Sequence, residues 1–210
     1  MYVPPHFAET DQDKLHDFIN SHSFGLLVSQ LGGVPFATHL PFLLDRAAGP
    51  CGTLVGHVAR GNPHWQDLGG AAALAVFSGP HAYVSPTWYE AEPAVPTWNY
   101  LAVHATGRTE LIDARDELRD IVRRSVAVYE SGMPRPWQFD ADSAYVDRLL
   151  AGIVGFRLRI GRLEGKWKLN QNHPAERRAK VIRALEAAGG ENGLAVAAAM
   201  RQMLSAEDQP

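Results

Sequence analysis

Hydrophobic residues recur along this chain at two spacings. Recurrence at every second position predicts strands, and recurrence at every third or fourth position predicts helices. The clearest strand is Ile153–Leu163, in which Phe156, Leu158 and Ile160 alternate with arginine or glycine. Shorter apolar runs that end near glycine or proline predict more strands. These are Ser23–Leu31, Val34–Leu44, Thr53–Ala59, Ala71–Ser78 and Thr97–Thr109. So many short, closely connected strands favour an antiparallel sheet that closes into a barrel.

Helices are predicted where apolar residues recur at spacings of three and four. The first begins at Thr10 and turns Leu15, Phe18 and Ile19 towards the core. Others are predicted at Asp113–Ser131, Ser143–Ala151, Ala175–Ala188 and Leu194–Leu204. The segment Gly79–Pro93, rich in proline and aromatic residues, is predicted to be a long ordered loop. Strands with helices inserted between them indicate the α+β class.

The chain has one plausible domain boundary, after Asn172, where the strand pattern stops and only helix pattern follows. We therefore predict a barrel domain over residues 1–172 and a helical C-terminal extension over residues 173–210. The extension is expected to pack on the barrel or on a partner subunit.

Composition narrows the class of protein. The 210-residue chain is 46% hydrophobic and 20% charged, so it contains enough apolar residues for a core. A net charge of −3 argues against a protein held mainly by nucleic-acid phosphates, and the single cysteine, Cys51, excludes an internal disulfide. The first residues do not resemble a signal peptide, and glycine and proline break the charge-free run Leu68–Tyr89. We expect a cytoplasmic protein without a membrane span.

The stretch Ala37–Trp65 carries the first candidate site. It predicts two strands joined by a polar turn and then a short helix that begins at Asn62–Pro63. Asparagine is a good helix N-cap, and proline at the first helical position loses no needed N–H donor. Arg60 precedes this helix, and a cation beside free backbone N–H groups suits a phosphate. The alternative is an ordinary hairpin and helix with Arg60 in solvent.

A second candidate is Lys166–Asn172, which places two lysines, a tryptophan and three amides directly after a predicted strand. Cations and amides this close together suit a planar, polar ring system that carries carbonyl groups. The alternative is a solvated turn. A group of aromatic residues predicts either a stacking wall for a ligand or ordinary packing. The group consists of Trp88, Tyr89, Trp98 and Tyr100.

Two other patterns have ordinary explanations. His39, His57 and His104 lie on separate predicted strands, but no metal-ligand spacing supports a metal site, and hydrogen-bonded core histidines are the commoner case. We predict no metal. The helix Ala175–Ala188 is basic and could touch DNA, although a solvated face is the commoner explanation and no helix-turn-helix signature follows. Its basic residues are Arg177, Arg178, Lys180 and Arg183.

Six segments of the chain together resemble a known family, although no single segment is specific enough to identify it. In chain order they are MYVPPHF (Met1–Phe7), THLPF (Thr38–Phe42), GHVARGNPHW (Gly56–Trp65), YVSPTWYE (Tyr83–Glu90), VPTWNYLAVHATG (Val95–Gly107) and GFRLRIGRLEGKWKLNQN (Gly155–Asn172). Together they resemble the PaiB-type proteins, described as FMN-binding negative transcriptional regulators. That family is related to the split barrel of pyridoxamine phosphate oxidase.

The resemblance implies an antiparallel split β-barrel with peripheral helices, usually a homodimer that holds FMN between its subunits. Two adjacent strands and the following turn would hold the phosphate and the ring. On this chain they fall at Thr38, His39, Leu40, Pro41, His57, Val58, Arg60 and Asn62. A later segment would approach the flavin from the partner subunit. Its residues are Lys166, Trp167, Lys168, Asn170, Gln171 and Asn172.

Three functions follow from the resemblance, and the sequence leaves open whether the protein is an enzyme. The first is an FMN-binding negative transcriptional regulator that senses redox state or a small ligand. The second is a flavin-dependent oxidoreductase whose substrate the sequence does not name. The third is a split barrel that has lost FMN and binds haem or another planar ligand through His39, His57 or His104. With this charge and no recognition helix, any association with DNA is expected to be weak or indirect.

Overall fold

The computed structural model describes residues 1–207, which divide into two compact units. The first unit consists of Met1–Asp11, Ser78–Val103 and the described chain from Glu164 onwards. The second unit consists of Gln12–Phe77 and His104–Leu163. The predicted domain boundary after Asn172 stays a prediction.

Within residues 1–207 the chain forms five α-helices and one antiparallel sheet of eight strands, which confirms the mixed α and β architecture. The strands are β1 (Ala8–Glu9), β2 (Phe24–Leu31), β3 (Val34–Pro41), β4 (Leu43–Asp45), β5 (Thr53–Ala59), β6 (Ala72–Val84), β7 (Thr97–Ile112) and β8 (Ile153–Lys168). They are ordered β3-β2-β6-β7-β8-β5-β4, and β1 pairs with β8. Short 3-10 helices occupy Pro5–Phe7, Pro63–Asp67 and Pro86–Tyr89.

The hairpin β2–β3 confirms its sequence prediction. Gly32 and Gly33 both take positive φ angles, 58° and 79°, which a two-residue hairpin turn requires and glycine adopts without strain. Leu31 then pairs with Val34, and the register continues to Phe24 opposite Pro41.

The predicted strand Val34–Leu44 is wrong in one respect, because the structure divides it into β3 and β4 at Phe42. The Phe42 N–H donates to the Ser23 carbonyl oxygen at 2.9 Å instead of continuing a strand. Its ring packs edge-to-face against Phe77 and Phe156, with centroids 5.3 and 6.1 Å away. Burial of this ring in the core favours the break in the strand.

Three helices belong to the second unit: α1 (Gln12–Ser21), α2 (Arg115–Glu130) and α3 (Ala144–Leu150). α1 buries Leu15, Phe18 and Ile19, as the spacing predicts. The apolar stripes of α2 and α3 pack against strand residues in one buried cluster. Its members are Leu43, Val55, Ile112, Leu118, Ile121, Val146 and Leu150.

The first unit contains α4 (Ala175–Ala188) and α5 (Glu191–Glu207), and α4 packs against α5 and the 3-10 helix Pro86–Tyr89. The predicted loop Gly79–Pro93 is wrong at its start, because β6 continues to Val84. Ala82 and Val84 are buried while His81 and Tyr83 are exposed, which is the period of a strand.

The second candidate segment also lies differently from its prediction. β8 continues to Lys168, so Lys166, Trp167 and Lys168 form the end of a strand rather than a turn after one. The cause is pairing with β1, which places Ala8 opposite Lys166.

No helix within the part of the chain that the structure describes is long and apolar enough to cross a membrane.

Candidate functional site

Two strands of the second unit, β3 and β5, bring the first half of the candidate site together. Leu40 on β3 lies against Gly56 on β5, where a Cβ atom would come within 2.9 Å of Leu40 Cδ1. Glycine at position 56 therefore allows the close approach of the two strands. Leu40 and Val58 point into the core, so only their backbone groups could face a ligand.

A buried polar network links the strands to the turn after β5. Asn62 caps the 3-10 helix Pro63–Asp67, because its side-chain oxygen accepts from the His64 N–H at 3.0 Å. Its amide nitrogen donates to Thr38 Oγ1 at 3.1 Å. His64 has 0% exposure, and its Nδ1 lies 2.8 Å from Thr38 Oγ1 while Nε2 lies 2.8 Å from Ser29 Oγ. The predicted N-cap is confirmed, although the helix is 3-10 rather than α.

His64 and Ser29 are residues of this half that sequence reasoning did not assign. His64 lies inside the motif GHVARGNPHW, directly after the predicted helix start, which was the available signal. Burial lowers the pKa of His64 below its usual value of 6.5, so the ring is held neutral. Each hydroxyl partner belongs to a different strand, β2 or β3, which no local pattern reveals.

The Arg60 guanidinium is held in place by hydrogen bonds to the backbone. Its Nε donates to the Ala151 carbonyl oxygen at 2.9 Å, and its Nη2 donates to the Ile153 carbonyl oxygen at 2.9 Å. Asp113 forms a longer ion pair with Nη2 at 3.5 Å. The guanidinium lies 5.9 Å from the ring of Trp65, whose indole N–H donates to the Arg60 carbonyl oxygen. The remaining nitrogen, Nη1, has no hydrogen bond within the described chain.

The other predicted residues of this half lie at its margin. His39 is exposed and its ring stacks on Phe24, with centroids 6.3 Å apart. Pro41 is exposed at the end of β3. His57 is partly buried, and burial lowers the pKa of its imidazole.

The second half of the candidate site belongs to the first unit, and its lysines are engaged. Lys166 is 7% exposed, donates to the Tyr2 carbonyl oxygen at 3.1 Å and lies 5.3 Å from the ring of Tyr100. Lys168 donates to the Trp98 carbonyl oxygen at 2.6 Å and to the Thr97 hydroxyl. Burial, followed by the charge of Lys166, lowers the pKa of Lys168. Both cations therefore fix the backbone of neighbouring segments.

The amides that follow fix a turn. Asn170 is 2% exposed, takes a positive φ of 65°, and donates from Nδ2 to the Tyr89 hydroxyl at 2.9 Å. The Gln171 side chain bonds the Leu169 N–H and the Trp167 carbonyl oxygen. These contacts leave the exposed Asn172 as the amide side chain best placed to meet a ligand, while Trp167 is half-buried near the end of β8.

An aromatic surface borders this segment on β6 and β7. We define it as His81, Tyr83 and Trp98, all exposed. The Trp98 ring centroid lies 5.9 Å from that of Tyr83 and 6.2 Å from that of His81. Tyr89, by contrast, is buried beneath His173, whose ring stacks on it at 4.9 Å. The predicted aromatic group thus divides into an exposed part and a core part.

The donors that remain in the second unit suit a phosphate. A threonine hydroxyl has one proton and two lone pairs, and Thr38 retains one of these positions after its bonds to Asn62 and His64. Arg60 Nη1 adds a charged donor, and charge-assisted bonds of this kind favour phosphate oxygens. By the chemistry of these donors, the site fits the anionic end of FMN. Among the described residues, no group of three His, Cys, Asp or Glu side chains is placed to hold a metal ion.

Comparisons with known proteins agree with this chemistry. Residues 1–162 match the family described as "Putative FMN-binding domain". The chain is 34% identical over 206 residues to the "Protease synthase and sporulation protein PAI 2" of Bacillus subtilis, covering 97% of this chain and 98% of that protein.

Solved structures show the same fold at low sequence identity. The FAD and haem binding protein from Mycobacterium smegmatis superposes with a TM-score of 0.60 at 20% identity, covering 88% of this chain and 80% of that one. The flavocytochrome Anf3 from Azotobacter vinelandii gives a TM-score of 0.63 at 16% identity, covering 85% and 78%. The split-barrel fold, the PaiB-type resemblance and the flavin cofactor expected from the sequence are thus confirmed, and the chain belongs to the family of FMN-binding domains.

Proposed function

We propose that this chain is an FMN-binding regulator of the PaiB type, which lowers transcription in response to redox state or a small ligand. The observation that supports this proposal best is the near full-length similarity to PAI 2, which includes α4 and α5 as well as the strands. A relative similar only in the barrel would support flavin binding alone.

In this proposal Thr38, Arg60 and Asn62 hold the phosphate end of FMN. The Thr38 hydroxyl and Arg60 Nη1 supply the donors, while Asn62 fixes the orientation of Thr38 through its 3.1 Å bond. When bound, FMN supplies electron-transfer chemistry, and the protein contributes position and electrostatics. The walls of this half would be formed by the neighbouring residues of β3 and β5. His39 would contribute its side chain, and backbone and apolar contacts would come from Leu40, Pro41, His57 and Val58.

The partner in this proposal is a second copy of the chain. The aromatic surface brings two large exposed side chains together, Tyr83 at 46% and Trp98 at 54% exposure, and clustered exposed aromatic residues are typical of interfaces. Lys168 ties the Trp98 backbone to the end of β8, so the surface adjoins the segment Lys166–Asn172. We propose that this surface forms part of a homodimer interface at which the segment meets FMN held by the partner subunit.

Direct recognition of DNA is not part of the proposal. The basic residues of α4 are largely committed: Arg178 is buried, and Lys180 pairs with Glu90 at 3.1 Å and Glu176 at 3.3 Å. We expect weak, non-specific binding that falls steeply with salt, so regulation would act through another component. Gel shifts on the promoter of the protein's own gene test this expectation. A tight, sequence-selective shift at physiological salt would contradict it.

A second candidate is a redox protein that carries a flavin or haem and acts on a small substrate. Two structural relatives support it, since one is named as binding FAD and haem and the other as a flavocytochrome. His39 is exposed and could reach a haem iron. The absorbance spectrum of the purified protein separates the cofactors. Flavin gives two bands in the near-ultraviolet and blue, whereas haem gives a Soret band.

The regulatory proposal has its own experiment. Transcripts would be compared between cells that express the wild-type chain and cells that express Thr38→Val/Asn62→Ala, a variant expected to lose FMN. Asn20→Ala, which alters an exposed amide on α1 outside the candidate site, is the matched control. If FMN is the sensor, the double variant changes the transcripts of a defined set of genes. Identical transcripts in a variant shown to lack flavin would contradict a regulatory role for FMN.

A further inference from the structure

The His64 imidazole lies between two hydroxyl groups in the interior of the second unit. Its Nδ1 is 2.8 Å from Thr38 Oγ1 and its Nε2 is 2.8 Å from Ser29 Oγ. A neutral imidazole carries one N–H and one lone pair, so one hydroxyl must donate to the ring and the other must accept from it. The geometry therefore permits two tautomers, which differ in the direction of both bonds.

Because Asn62 also bonds Thr38, each tautomer of His64 leaves a different hydrogen-bonding position of the Thr38 hydroxyl available to a ligand. Asn62 Nδ2 can only donate, so it occupies one lone pair of the Thr38 oxygen. If His64 Nδ1 accepts the Thr38 proton, the position left on Thr38 is a lone pair. If Nδ1 carries the proton and donates, the position left is the Thr38 O–H.

Ser29 makes the exchange between tautomers easy. Besides His64, its hydroxyl has one other partner, the Gln30 carbonyl oxygen at 3.4 Å, which is long for an O–H···O bond. In the Nε2–H tautomer Ser29 accepts from the ring and donates to Gln30. In the Nδ1–H tautomer Ser29 gives up that long bond and donates to Nε2. Each hydroxyl keeps one proton, and the ring proton moves from Nε2 to Nδ1 by exchange with solvent.

We propose that His64 is a positioning residue that acts as a tautomeric switch: an anion bound at Thr38 selects the Nδ1–H form. An anion accepts hydrogen bonds and repels lone pairs, so it requires the Thr38 O–H. The anion is the phosphate monoester of FMN, so this inference rests on the proposed function. Ser29 is not a predicted ligand contact. Because it bonds His64, which in turn bonds Thr38, it nevertheless affects the binding energy of the ligand.

The test is nitrogen-15 NMR of the histidine side chains in the full chain, free and saturated with FMN. The ring nitrogens of a neutral histidine differ strongly in chemical shift according to which one is protonated. We expect the Nδ1–H fraction of His64 to rise to the major form on addition of FMN, whose uptake is followed in the same sample by flavin fluorescence.

His16 is the internal reference for this measurement. It is 2% exposed in the same unit, and its Nε2 lies 3.0 Å from the Cys51 carbonyl oxygen. A carbonyl only accepts, so His16 should stay in the Nε2–H form with and without FMN.

A pair of serine variants gives an independent measurement. Ser29→Ala removes one hydrogen bond of Nε2 from both tautomers, but it leaves a buried N–H without an acceptor only in the Nε2–H form. The variant should therefore hold more of its His64 in the Nδ1–H form before FMN is added, and its dissociation constant for FMN should fall by up to about fivefold. Ser21→Ala, which removes a hydroxyl bonded to the Asp17 carbonyl oxygen on α1, should leave it unchanged. FMN uptake with an unchanged His64 tautomer would overturn the switch and leave the proposed function intact. Failure to take up FMN would overturn the proposed function and the switch with it.

Discussion

Arg60 has two tasks at the residue scale, because its guanidinium holds the backbone at Ala151 and Ile153 while leaving Nη1 for a ligand. We predict that Arg60→Glu weakens FMN binding by about 1.5–3 kcal/mol, the range for hydrogen bonds to charged groups. Isothermal titration of the folded variant measures this loss.

The matched control for this charge reversal is Arg108→Glu. Arg108 also donates to a backbone carbonyl, that of Gly70 at 2.9 Å, but it is not a predicted site residue. We expect its FMN affinity to equal that of the wild type. If both variants lose affinity equally, net charge rather than a phosphate contact by Arg60 would explain the result.

A second prediction at this scale concerns pH. Burial lowers the pKa of His57 and His64 below 6.5, so in mild acid the unfolded chain binds protons that the folded chain does not. The free energy of unfolding should therefore fall as the pH drops from about 6.5 to the lowered folded-state values, and these rings add no further loss below them. Urea unfolding from pH 8 to pH 5 measures the loss. His64→Gln should flatten the curve, since all carboxylates stay the same in both proteins.

At the residue scale, sequence reasoning proposed part of the candidate site. It selected Thr38, Arg60 and Asn62, because the cap, the cation and the family motif are local patterns, and their contact with a ligand stays a prediction. It missed His64 and Ser29, which are separated by 35 positions and meet only after the strands fold. The sequence did not predict the hydrogen bonds of Arg60 to two carbonyl groups either, because these lie 91 and 93 positions away along the chain.

Gly56 controls the approach of β3 to β5 at the scale of the elements. A Cβ there would lie 2.9 Å from Leu40 and 3.1 Å from Phe156, closer than side-chain atoms normally come. We predict that Gly56→Ala lowers the free energy of unfolding by about 1–3 kcal/mol, the usual effect of overpacking, and displaces the Thr38 side of the site. Chemical denaturation together with FMN titration measures both effects.

Gly61→Ala is the control for this prediction, since a Cβ at position 61 meets no atom within 4 Å. Its stability should match or slightly exceed that of the wild type, because alanine restricts the unfolded chain. A loss of stability at position 61 as large as that at position 56 would contradict the steric explanation.

Periodicity predicted most elements because most strands bury one face and most helices bury one stripe. It failed at β6, where Gly79 and Pro80 interrupt the pattern although the strand continues to Val84. It also ended β8 too early, since Lys166 and Lys168 do not look like strand residues. Pairing with β1, which comes from the opposite end of the sequence, keeps that segment extended.

At the scale of the whole molecule, we predict that FMN and dimerisation are coupled. If each site needs residues from two copies of the chain, FMN binds the dimer in preference to the monomer and stabilises it by mass action. Sedimentation over a dilution series should then show a smaller dimer dissociation constant when FMN is present. A dimer constant indifferent to FMN would rule out the coupling.

Trp98→Ala tests the proposed interface within the same experiment. It removes the centre of the aromatic surface and should weaken both the dimer and the affinity for FMN. Trp137→Ala is the matched control, because Trp137 is 61% exposed but belongs to the second unit. A monomeric variant that keeps full FMN affinity would place the whole cofactor site in one chain.

Asn170 illustrates how one position can satisfy two unrelated demands. Glycine would suit its left-handed backbone but would leave the Tyr89 hydroxyl without its amide donor, and aspartate would bring a carboxylate in place of that donor. A saturation library at this codon, selected for soluble protein at raised temperature, should therefore return asparagine alone. The same library at the exposed Asn172 should return most residue types. Over evolutionary time, folding should therefore prevent substitution at Asn170 but place no restriction on substitution at Asn172.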